Sequence, residues 1–282
     1  MTTDYEAEYN NSTRVPEHPE IFARWARDGA AYRAETGKEG RAEIGLTYGP
    51  SARQTIDLFK PRGDADGPLA MFIHGGYWRS FDPSSFSQMA RGMNGRGITV
   101  AVPGYDLCPH VTIAQIIEQM QAACLFLWRR FKRRVMVSGH SAGGHLAACM
   151  IATDWKRLDA DAPADLVPTA YAISGLFDLA PLVQISRNAD FKLDAAEARR
   201  VSPLFWPVPP GRMLDAVVGA LESSEFLRQS RIIADGWGAK GVKTRYEAIA
   251  GMNHFTVCDA MMDADSAMTQ RMTVLANIAA SR

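Results

Sequence analysis

The stretch VMVSGHSAGGHLAACMIA, residues 135–152, constrains the fold more than any other part of this chain. A short apolar run passes without a spacer into Gly139-His140-Ser141-Ala142-Gly143, and then into small and apolar residues suited to a buried helix. A strand that turns so abruptly into a helix needs glycine on either side of the bend, so that the backbone can turn and the helix can approach. The residue at the apex, Ser141, then projects its hydroxyl above the C-terminal edge of a parallel sheet. G-x-S-x-G alone is a weak signal, and its position between strand and helix gives it weight.

The rest of the chain supplies such a sheet. Strand-like runs occur at Thr55–Phe59, Leu69–Ile73, Ile98–Val102, Arg134–Ser138, Ala170–Ile173, Leu214–Val218 and Val242–Ile249, separated by helix-like stretches. That alternation predicts an α/β fold with a mainly parallel central sheet flanked by helices. Between the third and fourth strands Ile116, Met120, Cys124, Leu127 and Phe131 recur at helical spacing, so one face of that helix is core. Residues 1–50 read as an N-terminal helical segment, amphipathic over 15–37 and packed on the main fold. Residues 179–212 are irregular and proline-rich, and form either a small cap or a long crossover. The whole chain, 1–282, is expected to be a single domain.

Thirty-one basic residues balance thirty-one acidic ones, so no global field steers the chain to nucleic acid or to an anionic membrane surface, and a small-molecule partner is expected. Its one basic run, WRRFKRR at 128–134, ends a helix, where cations complement the macrodipole and stay solvated. The start of the chain is polar and acidic, and no apolar run approaches the length of a membrane span. Cys108, Cys124, Cys149 and Cys258 are scattered and form no CxxC pair, as free buried thiols do in a reducing compartment. A cytoplasmic location is expected.

A serine hydroxyl is a poor nucleophile near neutral pH and needs a base, which in turn needs a carboxylate to orient it. His254, in GMNHF after the last strand, emerges at the same sheet edge as Ser141 and is the expected base. His18 and His110 read as surface or packing residues, and His140 and His145 as sheet-edge or helix-surface neighbours of the nucleophile. For the acid, Glu222 follows the strand before the histidine strand, the usual place. Asp178 is the alternative, with a competing role as a helix cap. Glu225 is a third candidate that also suits a helix first turn. The HGGYW stretch at 74–78 offers backbone N–H groups from Gly75 and Gly76, which with that of Ala142 make a candidate oxyanion hole, while His74 pins the turn.

HGGYW at 74–78, GHSAGGH at 139–145 and GMNHF at 251–255 resemble the α/β-hydrolase superfamily, and within it the kynurenine formamidase (arylformamidase) branch. Tyr77 replaces the third glycine of the lipase-like His-Gly-Gly-Gly, and Trp78 completes the HGGxW form typical of the formamidases. Tyr9-Asn10-Asn11 and EFLRQS at 225–230 extend the likeness over nearly the whole chain. The family places its acid 32 residues before the histidine, on Glu222, although the eukaryotic enzymes carry Asp there. The resemblance implies an α/β-hydrolase fold and a serine hydrolase that cleaves a formyl or short acyl group from an aromatic amide. A short-chain carboxylesterase stands beside that reading.

A non-catalytic binding protein on the same scaffold is the contrasting class, but it would typically lack the serine or the histidine. No HExxH or comparable ligand set points to a metal, and no cofactor is implied. Tyr77, Trp78, Phe205 and Trp206 are expected to wall the substrate pocket. A homodimer is left open.

Overall fold

The computed structural model describes residues 3–63 and 66–282; Met1 and Thr2, which open the polar N-terminal stretch, lie outside it, as do Asp64 and Ala65. One sheet contains β1 (Ala42–Thr47), β2 (Thr55–Phe59), β3 (Leu69–Ile73), β4 (Thr99–Pro103), β5 (Val135–His140), β6 (Thr169–Ile173), β7 (Met213–Gly219) and β8 (Lys243–Ile249). Their spatial order is β1-β2-β4-β3-β5-β6-β7-β8. The pairs β1–β2 and β2–β4 are antiparallel and the remainder parallel. All seven strands expected from the sequence are present, with ends moved by at most two residues.

β1 is the strand that the sequence reading placed inside a helical segment. Its residues AEIGLT are at most half-buried at the sheet edge, and Gly45, at φ 73°, breaks the register with β2 between Glu43 and Leu46. An edge strand interrupted by a bulge shows no clean alternation of apolar and polar residues. The helical reading holds for the preceding part of the segment. There α1 (Tyr5–Tyr9) and α2 (Asn11–Arg14) form a short strap, followed by α3 (His18–Lys38).

The inner strands are buried and mostly apolar because both faces of the parallel sheet are covered. Leu69, Met71 and Ile73 of β3 point into one core and Ala70 and Phe72 into the other, as the two-residue period of a strand requires. A 3-10 segment, Pro83–Ala90, and α4 (Arg91–Gly95) lie between β3 and β4. The first core is closed by α5 (Ile113–Phe131), α6 (Ala142–Ala152), α7 (Trp155–Leu158) and, after β7, α10 (Ser224–Gly238). In the β6–β7 crossover, residues 179–212 fold into 3-10 turns, α8 (Asn188–Phe191) and α9 (Ala195–Arg200). The second core is closed by α3, the 3-10 segment and α11 (Ala267–Ala280).

α5 begins in a capping box between Thr112 and Gln115 and ends at Lys132 in the left-handed conformation. Its basic tail is tied to neighbouring elements. Arg129 pairs with Asp159, Arg130 with Glu43 and Arg134 with Asp165. All four cysteines are free and buried. No helix among the described residues is long and apolar enough to cross a membrane.

Candidate active site

Ser141 sits between the end of β5 and the start of α6 with φ 57° and ψ −117°, a conformation that costs a non-glycine residue about 1–3 kcal/mol. Its N–H donates to Ile173 O at 2.8 Å, which anchors the bend to β6. The flanking glycines are required by space: a Cβ on Gly139 would lie 2.2 Å from Gly143 O, and one on Gly143 would lie 1.9 Å from Ile73 O. Strand, turn and helix pack backbone to backbone here.

His254 follows β8 and is buried. Its Nδ1 lies 2.6 Å from Glu222 Oε2, in the loop after β7. The other oxygen of that carboxylate accepts from Ser174 Oγ at 2.5 Å and from Gly219 N at 2.7 Å. With Nδ1–H donating to the carboxylate, the neutral imidazole keeps its lone pair on Nε2. His254 and Ser141 line the same cavity, of about 250 Å³.

The competing carboxylates have other partners. Asp178 Oδ1 accepts from Ala180 N at 3.1 Å, a local bond two residues along the chain, while the N-cap position of the following 3-10 turn is Leu179. Glu225 accepts from Tyr9 Oη at 2.8 Å and forms a two-point pair with Arg228. Of the three acids weighed from the sequence, Glu222 is the one bonded to His254.

The glycine pair lies against the elbow. A Cβ on Gly75 would lie 2.9 Å from His140 O and 3.1 Å from Ser141 Cβ, and Gly76 takes φ 104°. Ala142 is the first residue of α6, where a helix N–H has no intrahelical acceptor. Both glycines line the cavity beside Ser141. His74 holds their turn: its ring stacks between Phe86 and Tyr105, and Nδ1–H donates to Gly75 O at 2.8 Å.

A model of the alpha/beta hydrolase fold family matches residues 70–257, which span the glycine turn, the elbow, Glu222 and His254. The chain belongs to the α/β-hydrolase family. This hydrolase is similar to the kynurenine formamidase of Drosophila melanogaster, 28% identical over 284 residues that cover 94% of this chain and 93% of that protein. The kynurenine formamidase of Salmo salar is 27% identical over 80% of this chain and 79% of its own length. Among solved structures, a "putative thioesterase" of Silicibacter sp. tm1040 superposes with a TM-score of 0.87 at 31% identity, covering 96% of this chain and all of that one.

Two histidines of the hydrolase lie deeper than the sequence suggested. His140 and His145 are both buried: His140 ends β5, an inner strand covered on both faces, and His145 lies on α6, all of whose residues are buried. His140 donates from Nε2 to His254 O at 2.7 Å, and its pKa lies well below the ordinary range because burial and the neighbouring His254 oppose its charge. It therefore holds the His254 loop as a neutral ring. His145 donates from Nε2 to Val201 O at 2.7 Å, and burial pushes its pKa down to about 4. His18 packs, partly exposed, on Phe22 and Phe255, and His110 is exposed.

The aromatic walls also differ from expectation. Tyr77 lines the cavity, but Trp78 is fully buried, edge-on to His145 and Phe191. Phe205 is 40% exposed beneath the Arg199 guanidinium, and Trp206 lines a separate hollow with Leu125 and Leu158. The reason is topological. Phe205 and Trp206 lead into β7, a parallel strand entered from the sheet edge opposite Ser141. The walls are instead Phe22 and Trp25 of α3, Phe81 and Phe86 after the glycine turn, and Phe255 beside the histidine. In the sequence Phe22 and Trp25 read only as the apolar face of a packing helix. Asn11, Ser12, Arg79 and Arg187 complete the rim. Among the described residues, no group of three or more His, Cys, Asp or Glu side chains is placed to hold a metal.

Proposed function

We propose that this hydrolase removes a formyl or other short acyl group from an aromatic amine, through an acyl-enzyme on Ser141. One observation carries the reading: His254 is bonded through Nδ1 to a carboxylate held from two sides, and it shares a small aromatic cavity with Ser141. In this mechanism Ser141 Oγ attacks the carbonyl carbon while His254 Nε2 takes its proton, and Glu222 stabilises the imidazolium that forms. The oxygen that becomes negative is received by N–H groups of Gly75, Gly76 and Ala142. Collapse breaks the C–N bond as His254 returns the proton to the leaving amine. Water then repeats the sequence to release formate. No step calls on a metal.

Similarity to the kynurenine formamidases named above supports an aryl formamide as the substrate of this hydrolase. A short-chain carboxylesterase is the second reading, supported by an esterase of Gibberella moniliformis that is 30% identical over 39% of this chain. Both use the same acyl-enzyme. Formyl and acetyl esters of one phenol, the octanoyl ester of that phenol and an aryl formamide, tested on the purified protein, separate them. The small cavity predicts that the formyl and acetyl esters outrun the octanoyl ester, and that the formamide is cleaved. Fastest turnover of the octanoyl ester would refute the short-acyl assignment. Ser141→Ala should abolish turnover and covalent labelling by an organophosphate, and label on another serine would refute the nucleophile.

A further inference from the structure

The glycine pair is followed by two bulky residues in a conformation that suits glycine better. Tyr77 and Trp78 take φ 52° and 55°, after Gly76 at 104° and before Phe81 at 72°. Side chains at successive left-handed positions crowd the backbone, so the turn needs outside restraint to keep this form. Trp78 is restrained by burial against His145 and Phe191, and its carbonyl accepts from Cys108 N at 2.8 Å. Tyr77 is restrained differently. Its ring stacks on Phe191, and its hydroxyl donates to the backbone carbonyl of Tyr9, 68 residues earlier, at 2.6 Å.

That carbonyl belongs to the strap formed by α1 and α2, which is itself fastened. Tyr9 Oη donates to Glu225 Oε2 at 2.8 Å and accepts from Gln229 Nε2 at 2.9 Å. Glu8 Oε2 accepts from Ser224 Oγ and Glu225 N at the start of α10, and Glu6 accepts from the N–H and hydroxyl of Ser186 in the crossover. The strap is thus bound to α10 and to the crossover and presents a fixed acceptor to the Tyr77 hydroxyl.

We propose that Tyr77 is a positioning residue: its hydroxyl, anchored on the strap, holds the Gly75–Gly76 turn in the form that receives the oxyanion. This rests on the serine-hydrolase reading. The N–H groups of a turn that relaxes by a fraction of an ångström still tolerate the substrate but miss the negative oxygen of the transition state, so the loss falls on kcat and spares KM. A Tyr77 that served only as a cavity wall would behave in the opposite way.

Tyr77→Phe keeps the ring, its stacking and its place in the wall, and removes only the hydroxyl. With phenyl acetate as substrate, kcat should fall about tenfold with KM changed by less than about twofold. Tyr9→Phe, which removes the strap's bonds to Glu225 Oε2 and Gln229 but keeps those of Glu6 and Glu8, should lower kcat in the same direction by a smaller factor. The double variant should lose less than the product of the two single losses, because both cut one chain of contacts. Hydrogen exchange over residues 74–80, followed by mass spectrometry, should be faster in each variant than in the wild type. Unchanged kcat and unchanged exchange in Tyr77→Phe would overturn the proposal, as would a rise in KM alone. Should Tyr77→Phe fail to fold, Tyr9→Phe puts the same link to the same two readouts. A wild type inactive on every acyl substrate would instead defeat the hydrolase reading, and the exchange rates would still show whether the hydroxyl holds the turn.

Discussion

His254 Nδ1 and Glu222 Oε2 lie 2.6 Å apart, and the second oxygen of the same carboxylate is held by Ser174 and Gly219. The carboxylate cannot rotate without breaking one of these bonds. It therefore selects one tautomer of His254.

Replacing Glu222 with Gln reverses that selection, since an amide N–H facing Nδ1 favours the tautomer with its proton on Nε2. Glu222→Gln should lower kcat by about 10³–10⁴. Ser174→Ala, which loosens one oxygen only, should cost about tenfold. Asp178→Asn should leave kcat/KM within about twofold, because its carboxylate bonds to a backbone N–H two residues along and not to His254. Steady-state rates on one aryl ester check all three, and a larger loss in Asp178→Asn would transfer the role.

The cavity walls predict a second contrast. Phe22→Ala removes an aromatic face that lines the cavity, and should raise KM for aryl substrates by about three- to tenfold, as expected for the loss of about 1 kcal/mol of contact. Phe205→Ala and Trp206→Ala should leave KM unchanged. An equal rise in KM for either would place Phe205 or Trp206 over the site after all.

Three histidines buried as neutral rings lower the stability in acid. Burial lowers the pKa of His74 and of His145 to about 4, and His140 lies well below its usual range. As pH falls below about 6.5 the unfolded chain protonates these rings while the folded one does not, so stability declines from there toward pH 4. Each unit of displacement contributes about 1.4 kcal/mol. His145→Gln retains a donor for Val201 O and removes one of these titrations, so its Tm should fall less steeply than that of the wild type between about pH 6.5 and 4.5. Parallel Tm curves would contradict this account.

The four thiols are buried, and burial pushes that of Cys108 up to about 11 and those of Cys149 and Cys258 well above the ordinary range. Thiolate is the reactive form. A disulfide reagent such as Ellman's should therefore label none in the native protein and all four after denaturation, and N-ethylmaleimide should not inhibit. Rapid native labelling would show that a core segment opens.

Ser141, with its two glycines, was legible because the chemistry of a sharp strand-to-helix turn is local: a few residues decide whether the backbone can bend and the helix can approach. His254 and Glu222 were legible for a related reason, since each parallel strand delivers its following loop to the same sheet edge. The central strands stood out because both of their faces are buried, whereas β1 was hidden by its exposure and by Gly45. What only the tertiary structure decided is which distant segments meet over that edge. The sequence named four aromatics beside the site, and one of them, Tyr77, lines the cavity, while Phe22 and Trp25 arrive from the N-terminal helix. The Tyr9 carbonyl that receives the Tyr77 hydroxyl lies 68 residues away. A turn is written in the torsional preferences of its own residues, but a cavity wall depends on where the ends of separate elements stop, and that is set by packing summed over the whole sheet.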